Sequence, residues 1–201
     1  MIINKQWLKK NKACTKGYQW FIQRYKGDTD VCELLTALAK DNRFFWTRWV
    51  FQHLELPKEV YIKTAIYCAE LVLPLFEKKY PKDARPRKAI QVAKNWLKNP
   101  NNKTAAAAYA AAANATDAAY AAANATDDTA YAAYAAAYAA YAAANAANAA
   151  NAAYAATYAA YAADDTVNAA AYATYAANTA NIRNKITKYM CKVVKAAKED
   201  K

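Results

Sequence analysis

The sequence predicts an all-α fold, a single compact multi-helix bundle with no sheet. Three observations carry that expectation. Apolar residues before position 100 recur in steps of three and four, as one face of a helix requires. No useful length of chain alternates apolar and polar residues with period two, the mark of a half-buried strand. From Thr104 to Asn181, 45 of 78 residues are Ala, the best helix former, and neither Gly nor Pro interrupts the run.

Each helix can be justified in chain order. Tyr18, Phe21, Ile22 and Tyr25 lie at i, i+3, i+4 and i+7 and form one apolar face. Asp28 or Asp30 then caps a helix that carries Val31, Leu34, Leu35 and Leu38. The stretch NRFFWTRWVFQHLEL repeats the pattern with Phe45, Trp49 and His53, or Phe51 and Leu54. Pro57 suits the first turn of the next helix, which runs about six turns and contains Pro74, expected to kink it. RPRKAIQVAKNWLKN again has Pro near a helix start. Composition breaks at Leu97–Thr104, giving a basic helical part (1–103) and an Ala/Tyr-rich helical part (104–201), expected to pack together as one domain.

In the second part the expected breaks are chemical. Asn, Thr and Asp compete for backbone hydrogen bonds inside a helix but satisfy free N–H groups at its start. Asn114–Asp117, Asn124–Thr129 and Ala163–Thr166 therefore divide the run into helices near 104–115, 117–126, 129–163 and 166–198, with a bend expected near Asn145–Asn151. Tyr131, Tyr134, Tyr138 and Tyr141 step by 3, 4, 3, and Tyr109, Tyr120 and Tyr131 are 11 apart, so the rings share one face. Such a stripe forms core or lines a pocket, with Tyr131, Tyr138 and Tyr158 the candidate pocket rings, while Ala elsewhere lets helix axes approach closely. An ice-binding helix would repeat Thr every 11 residues, and here bulky Tyr repeats instead.

Charge is unevenly spread along the chain. Residues 1–103 carry 21 Lys/Arg against 9 Asp/Glu, residues 104–181 carry five Asp and no base, and residues 182–201 carry seven bases and two acids. A surplus at both ends favours anionic partners, with nucleic acid ranked below an anionic small molecule. Cys14, Cys32, Cys68 and Cys191 are scattered and His53 is the only His, so neither a metal nor another cofactor is expected. No strongly apolar run of about 20 residues exists to span a membrane. With no glycine-rich phosphate loop and no nucleophile or metal motif, no catalytic residue is assigned and no enzyme is expected. A reduced cytoplasmic setting fits the Cys usage. Homo-oligomerisation is left open.

Two clusters stand out as candidate binding residues. Arg85, Arg87 and Lys88 gather at a helix start, where the helix dipole disfavours cations, so they call for an anion or for internal acids such as Glu77 and Asp83. Arg43, Arg48, Trp46 and Trp49 combine guanidinium groups with indoles, a pairing that can cradle a base and its phosphate.

The chain also resembles a known family. Cys14, Gly17, Trp20 and Phe21, then Trp46 and Trp49, then AIYCAELVLPLFEKKYPKDARPRKAI (Ala65–Ile90) and the Ala-rich block after it are similar to the immunity-five-like family of bacteria and phages. The similarity spans nearly the whole chain. It implies a cytosolic, non-enzymatic binder in microbial conflict, in the cytoplasm of a bacterial host cell. Two roles are then expected. The first is an anti-defence sponge that sequesters an anionic nucleotide-type immune signal. The alternative is an immunity protein that binds and neutralises a protein toxin or effector.

Overall fold

The computed structural model describes residues 1–124, 130–144 and 172–199. Among the described residues nine helices form: α1 (Lys5–Lys10), α2 (Thr15–Arg24), α3 (Val31–Lys40), α4 (Phe44–Gln52), α5 (Lys58–Lys79), α6 (Arg85–Lys98), α7 (Asn102–Asn124), α8 (Ala130–Ala144) and α9 (Tyr172–Glu199). The fold is all-α. Its one departure from pure helix, among the described residues, is an antiparallel ribbon in which β1 (Ile2–Ile3) pairs with β2 (Thr29–Asp30). Two residues per strand are too few to leave a period-two signature, so the ribbon had no signal to read.

Local chemistry sets the helix ends. Asn4 Oδ1 accepts from Trp7 N at 3.0 Å to open α1, and Asp30 Oδ1 accepts from Cys32 N at 2.8 Å to open α3. Both helices close in the same way. Ala13 N donates to Leu8 O and Lys12 N to Lys9 O; Arg43 N donates to Leu38 O and Asn42 N to Ala39 O. These Schellman bonds place Lys12 (φ 57°) and Asn42 (φ 55°) in the left-handed region. Asn tolerates that region; Lys does so only under strain. Helix α5 continues through Pro74, which faces solvent, so the carbonyl freed by the missing N–H is not stranded in the core.

The Ala-rich block differs from expectation at its first break. Helix α7 runs straight through Asn114–Asp117 instead of ending there. Thr116 Oγ1 donates to Ala112 O at 2.9 Å, which satisfies the hydroxyl inside the helix and removes its reason to break it. The start of α7 is closed reciprocally, with Thr104 N donating to Asn101 Oδ1 and Asn101 N to Thr104 Oγ1. Of the expected break at Asn124–Thr129 only Asn124, the last residue of α7, is described; the break at Ala163–Thr166 and the bend at Asn145–Asn151 lie outside the described residues.

Helix α8 lies against α5, α6 and α7. Ala133, Ala135, Ala136, Ala137, Ala139 and Ala140 are all buried. Its remaining described face carries the half-buried Tyr131, Tyr134 and Tyr138, so no described side of the helix is polar. Helix α9 packs on α3, α4 and α5 through Ile186, Met190, Val193 and Val194. At the α3–α9 seam the Cys32 thiol donates to Cys191 O at 3.7 Å and the Cys191 thiol to Cys32 O at 3.8 Å. All four cysteines are free thiols. Burial and the neighbouring Cys32 thiol push the Cys191 thiol up to about 12. No described helix is long and apolar enough to cross a membrane.

Candidate functional site

The first four helices enclose a cavity of about 260 Å³. Buried Leu8, Phe21, Leu34, Leu38 and Val50 line it at depth; Trp20, Trp46 and Trp49 are half-buried in its wall. Arg48 is half-buried like the rings, whereas Lys12, Cys14 and Phe45 stand nearer to solvent, with Phe45 53% exposed. A second cleft, of about 350 Å³, shares Trp20 and Trp46 with the first and adds Thr15, Lys16, Gln19, Gln23 and Arg43. Each cavity is lined by two basic side chains and no carboxylate.

The rings are held by partners from other helices. Trp20 Nε1 donates to Asp41 Oδ2 at 2.9 Å, and Arg24 shares that carboxylate at 3.1 Å. Trp46 meets Trp20 edge-on at 6.1 Å and carries the Arg43 guanidinium over its face at 4.4 Å. Trp49 meets Trp7 edge-on at 5.7 Å, and His53 lies 4.5 Å from it on its other side in sequence. His53 Nδ1 is 2.8 Å from Trp49 O, a contact that ties the imidazole to the end of its own helix. Gly17 makes a close fit where α2 meets α4: a Cβ there would stand 3.3 Å from Cys14 Sγ and 3.8 Å from the Trp46 ring, so Cys14 would have to give by a few tenths of an ångström. Cys14, exposed, accepts from Gly17 N at 3.4 Å and so caps α2 from the cavity edge.

The two clusters expected from sequence separate here. Arg43, Arg48, Trp46 and Trp49 come together at these cavities. Arg85, Arg87 and Lys88 lie elsewhere, at the start of α6. Arg85 forms a fork to Asp83 (2.9 and 2.6 Å), and Arg87 reaches Glu77 at 2.6 Å. Those acids answer the dipole conflict from within the chain, and the Arg85 guanidinium holds the Asp83 carboxyl below its usual value. Lys88 is exposed. Tyr131 and Tyr138 are half-buried against the core and line neither cavity; Tyr158 lies outside the described residues. Sequence reasoning missed Lys12, Lys16, Phe45 and the part Trp20 plays. A signal existed: Cys14, Gly17 and Trp20 step by three along the start of α2, on one face.

Among the described residues, no group of three or more His, Cys, Asp or Glu is placed to hold a metal ion. The chemistry on offer is an apolar hole beside a cationic cleft, suited to binding.

A family model described as YdhT N-terminal domain matches residues 1–54, and one described as Imm-5 like putative immunity protein matches residues 54–200. No curated protein and no solved structure matches the chain. The resemblance expected over nearly the whole chain thus divides at Leu54. The Trp cavities fall in the first segment and Ala65–Ile90 in the second. The joint is braced: Tyr61 O–H donates to Leu54 O and accepts from Leu56 N at 3.3 Å.

Proposed function

The chain belongs to the Imm-5 like immunity protein family, and from that premise we propose that it is a non-enzymatic binder that neutralises a protein toxin or effector. The observation that carries this reading is the family match, which takes in α5 to α9 and the α5–α6 segment quoted above. A basic chain, net +12, suits an acidic partner. The test is co-expression with a panel of bacterial toxins and effectors. The expected result is rescue of growth with one of them, and a one-to-one complex that survives gel filtration with the partner unaltered in mass. Rescue accompanied by cleavage or modification of the partner would make the chain an enzyme; no rescue and no complex would sink the reading.

The second reading is sequestration of an anionic nucleotide-type signal, favoured by one observation, the cationic lining beside Trp46 and Trp49. It ranks lower because Arg43 already lies over Trp46 and His53 against Trp49, so stacking surface is partly taken. Calorimetry with cyclic and ADP-ribose-type nucleotides checks it. Absence of heat for all of them removes it.

A further inference from the structure

We propose that the cavity pair within residues 1–54 is a docking site for an acidic protein segment, which seats one bulky apolar side chain in the Trp-lined hole and sets carboxylates against Lys16 and Arg43. The inference deepens the neutralisation reading and rests on it only for the partner being a protein.

Size is the first argument. The apolar hole, about 260 Å³, falls below the ~300–1,000 Å³ typical of cavities that enclose drug-sized ligands. It is roomy for one aromatic or long aliphatic side chain. Its construction is that of an interface hot spot: a buried apolar floor, a wall of half-buried Trp rings, an Arg in the lining, and an exposed Phe45 that a partner would cover.

Charge is the second. Residues 1–54 hold ten Lys/Arg and four Asp/Glu. Asp41, the acid nearest the rings, is occupied by Trp20 and Arg24. Among the described residues Lys12, Lys16 and Arg43 have no carboxylate partner. Lys12 at the hole and Lys16 and Arg43 in the adjoining cleft select an anchor with acidic neighbours and repel a basic one. The cleft of Lys16 and Arg43 adjoins the hole across the shared Trp20 and Trp46, so anchor and carboxylate belong on adjacent residues of one segment.

Cys14 gives the experiment its reporter, because it lines the hole and is exposed whereas Cys32 and Cys68 are buried. The full chain is treated with iodoacetamide and the Cys14 alkylation rate read by mass spectrometry. Added at millimolar concentration are the capped peptides Asp-Asp-Phe-Asp-Asp, Asp-Asp-Ala-Asp-Asp and Lys-Lys-Phe-Lys-Lys. The expected result is at least a fivefold slowing with the first, less than twofold with the other two, and loss of protection in R43E and in K16E. Both replaced residues are exposed, and circular dichroism confirms that each variant folds. Protection should also weaken as salt rises from 0.15 to 0.5 M. Equal rates with the Phe and Ala peptides would overturn the proposal. So would protection by AMP or inorganic phosphate without any by peptide, which makes the site a small-anion pocket. So would protection that grows with protein concentration alone, which makes a second copy the occupant. Undiminished neutralisation by R43E would leave the proposed function standing and move docking elsewhere. Peptide binding with no neutralised partner would do the reverse.

Discussion

Phe51 in α4 and Ala136 in α8 are both inaccessible to solvent, at 0% exposure each. Around Phe51 the helices are short, their side chains large, and the interior is filled by rings such as Tyr61, which meets Phe51 edge-on at 5.5 Å. Around Ala136 the buried residues of α8 are all Ala, and the helices α5, α6 and α7 lie against it. Large side chains remove much apolar area per residue, on the order of 25 cal/mol per Å². Ala removes little, but it loses no rotamer freedom on burial and admits close dispersion contact between helices. One region is stabilised by volume present, the other by volume withheld. The two should therefore fail under opposite substitutions.

The strongest test is truncation in the first region. Phe51→Ala should destabilise the protein by about 3–5 kcal/mol, read from urea unfolding. The mirror experiment enlarges the second region: Ala136→Leu should cost about 1–3 kcal/mol, because no cavity receives the added atoms. A neutral result there would show that the Ala136 face of α8 is not closely packed and would break the comparison. A smaller effect, of opposite sign, comes from the strained turn at the cavity mouth. Lys12→Gly should raise stability by up to about 1 kcal/mol, since Gly adopts φ 57° without a Cβ clash. It also removes one cation from the mouth, so stability and peptide protection of Cys14 should move apart.

The smallest effect belongs to the surface pair on α6. The folded carboxyl of Asp83 is depressed by Arg85, so its contribution is present at neutral pH and fades as pH falls below the ordinary value of 3.8. Asp83→Asn should therefore lower the unfolding free energy slightly at pH 7, by well under about 1 kcal/mol because Arg85 is 41% exposed, and match the parent near pH 2. A difference that persisted at pH 2 would assign the effect to packing instead.

The helices were legible because spacing is local. Val31, Leu34, Leu35 and Leu38 announce α3 without reference to any other part of the chain, and all four are buried. Caps were legible where the residue acts on its own neighbours, as Asp30 does, and misleading at Asn114–Asp117, where Thr116 found a partner inside the helix. The left-handed turns at Lys12 and Asn42 carry no Gly to advertise them. At the candidate site, Arg43, Trp46, Arg48 and Trp49 were visible as a group since one helix supplies nearly all of them. Trp20, Cys14 and Lys12 join them only through tertiary packing of α1 and α2, which no window of sequence contains. The dipole conflict at Arg85 and Arg87 was real, and acids two and ten residues away resolve it.

The thiol contact between Cys32 and Cys191 spans 159 residues, and that distance has a meaning in time. Helix α3 leaves the ribosome early, carrying Cys32 and Thr36 on a face that α9 will cover. At about 5–20 residues per second, the covering helix follows on the order of ten to thirty seconds later. Throughout that interval the first segment must wait with this seam open, and a chain halted anywhere in the Ala-rich block would leave it open for good.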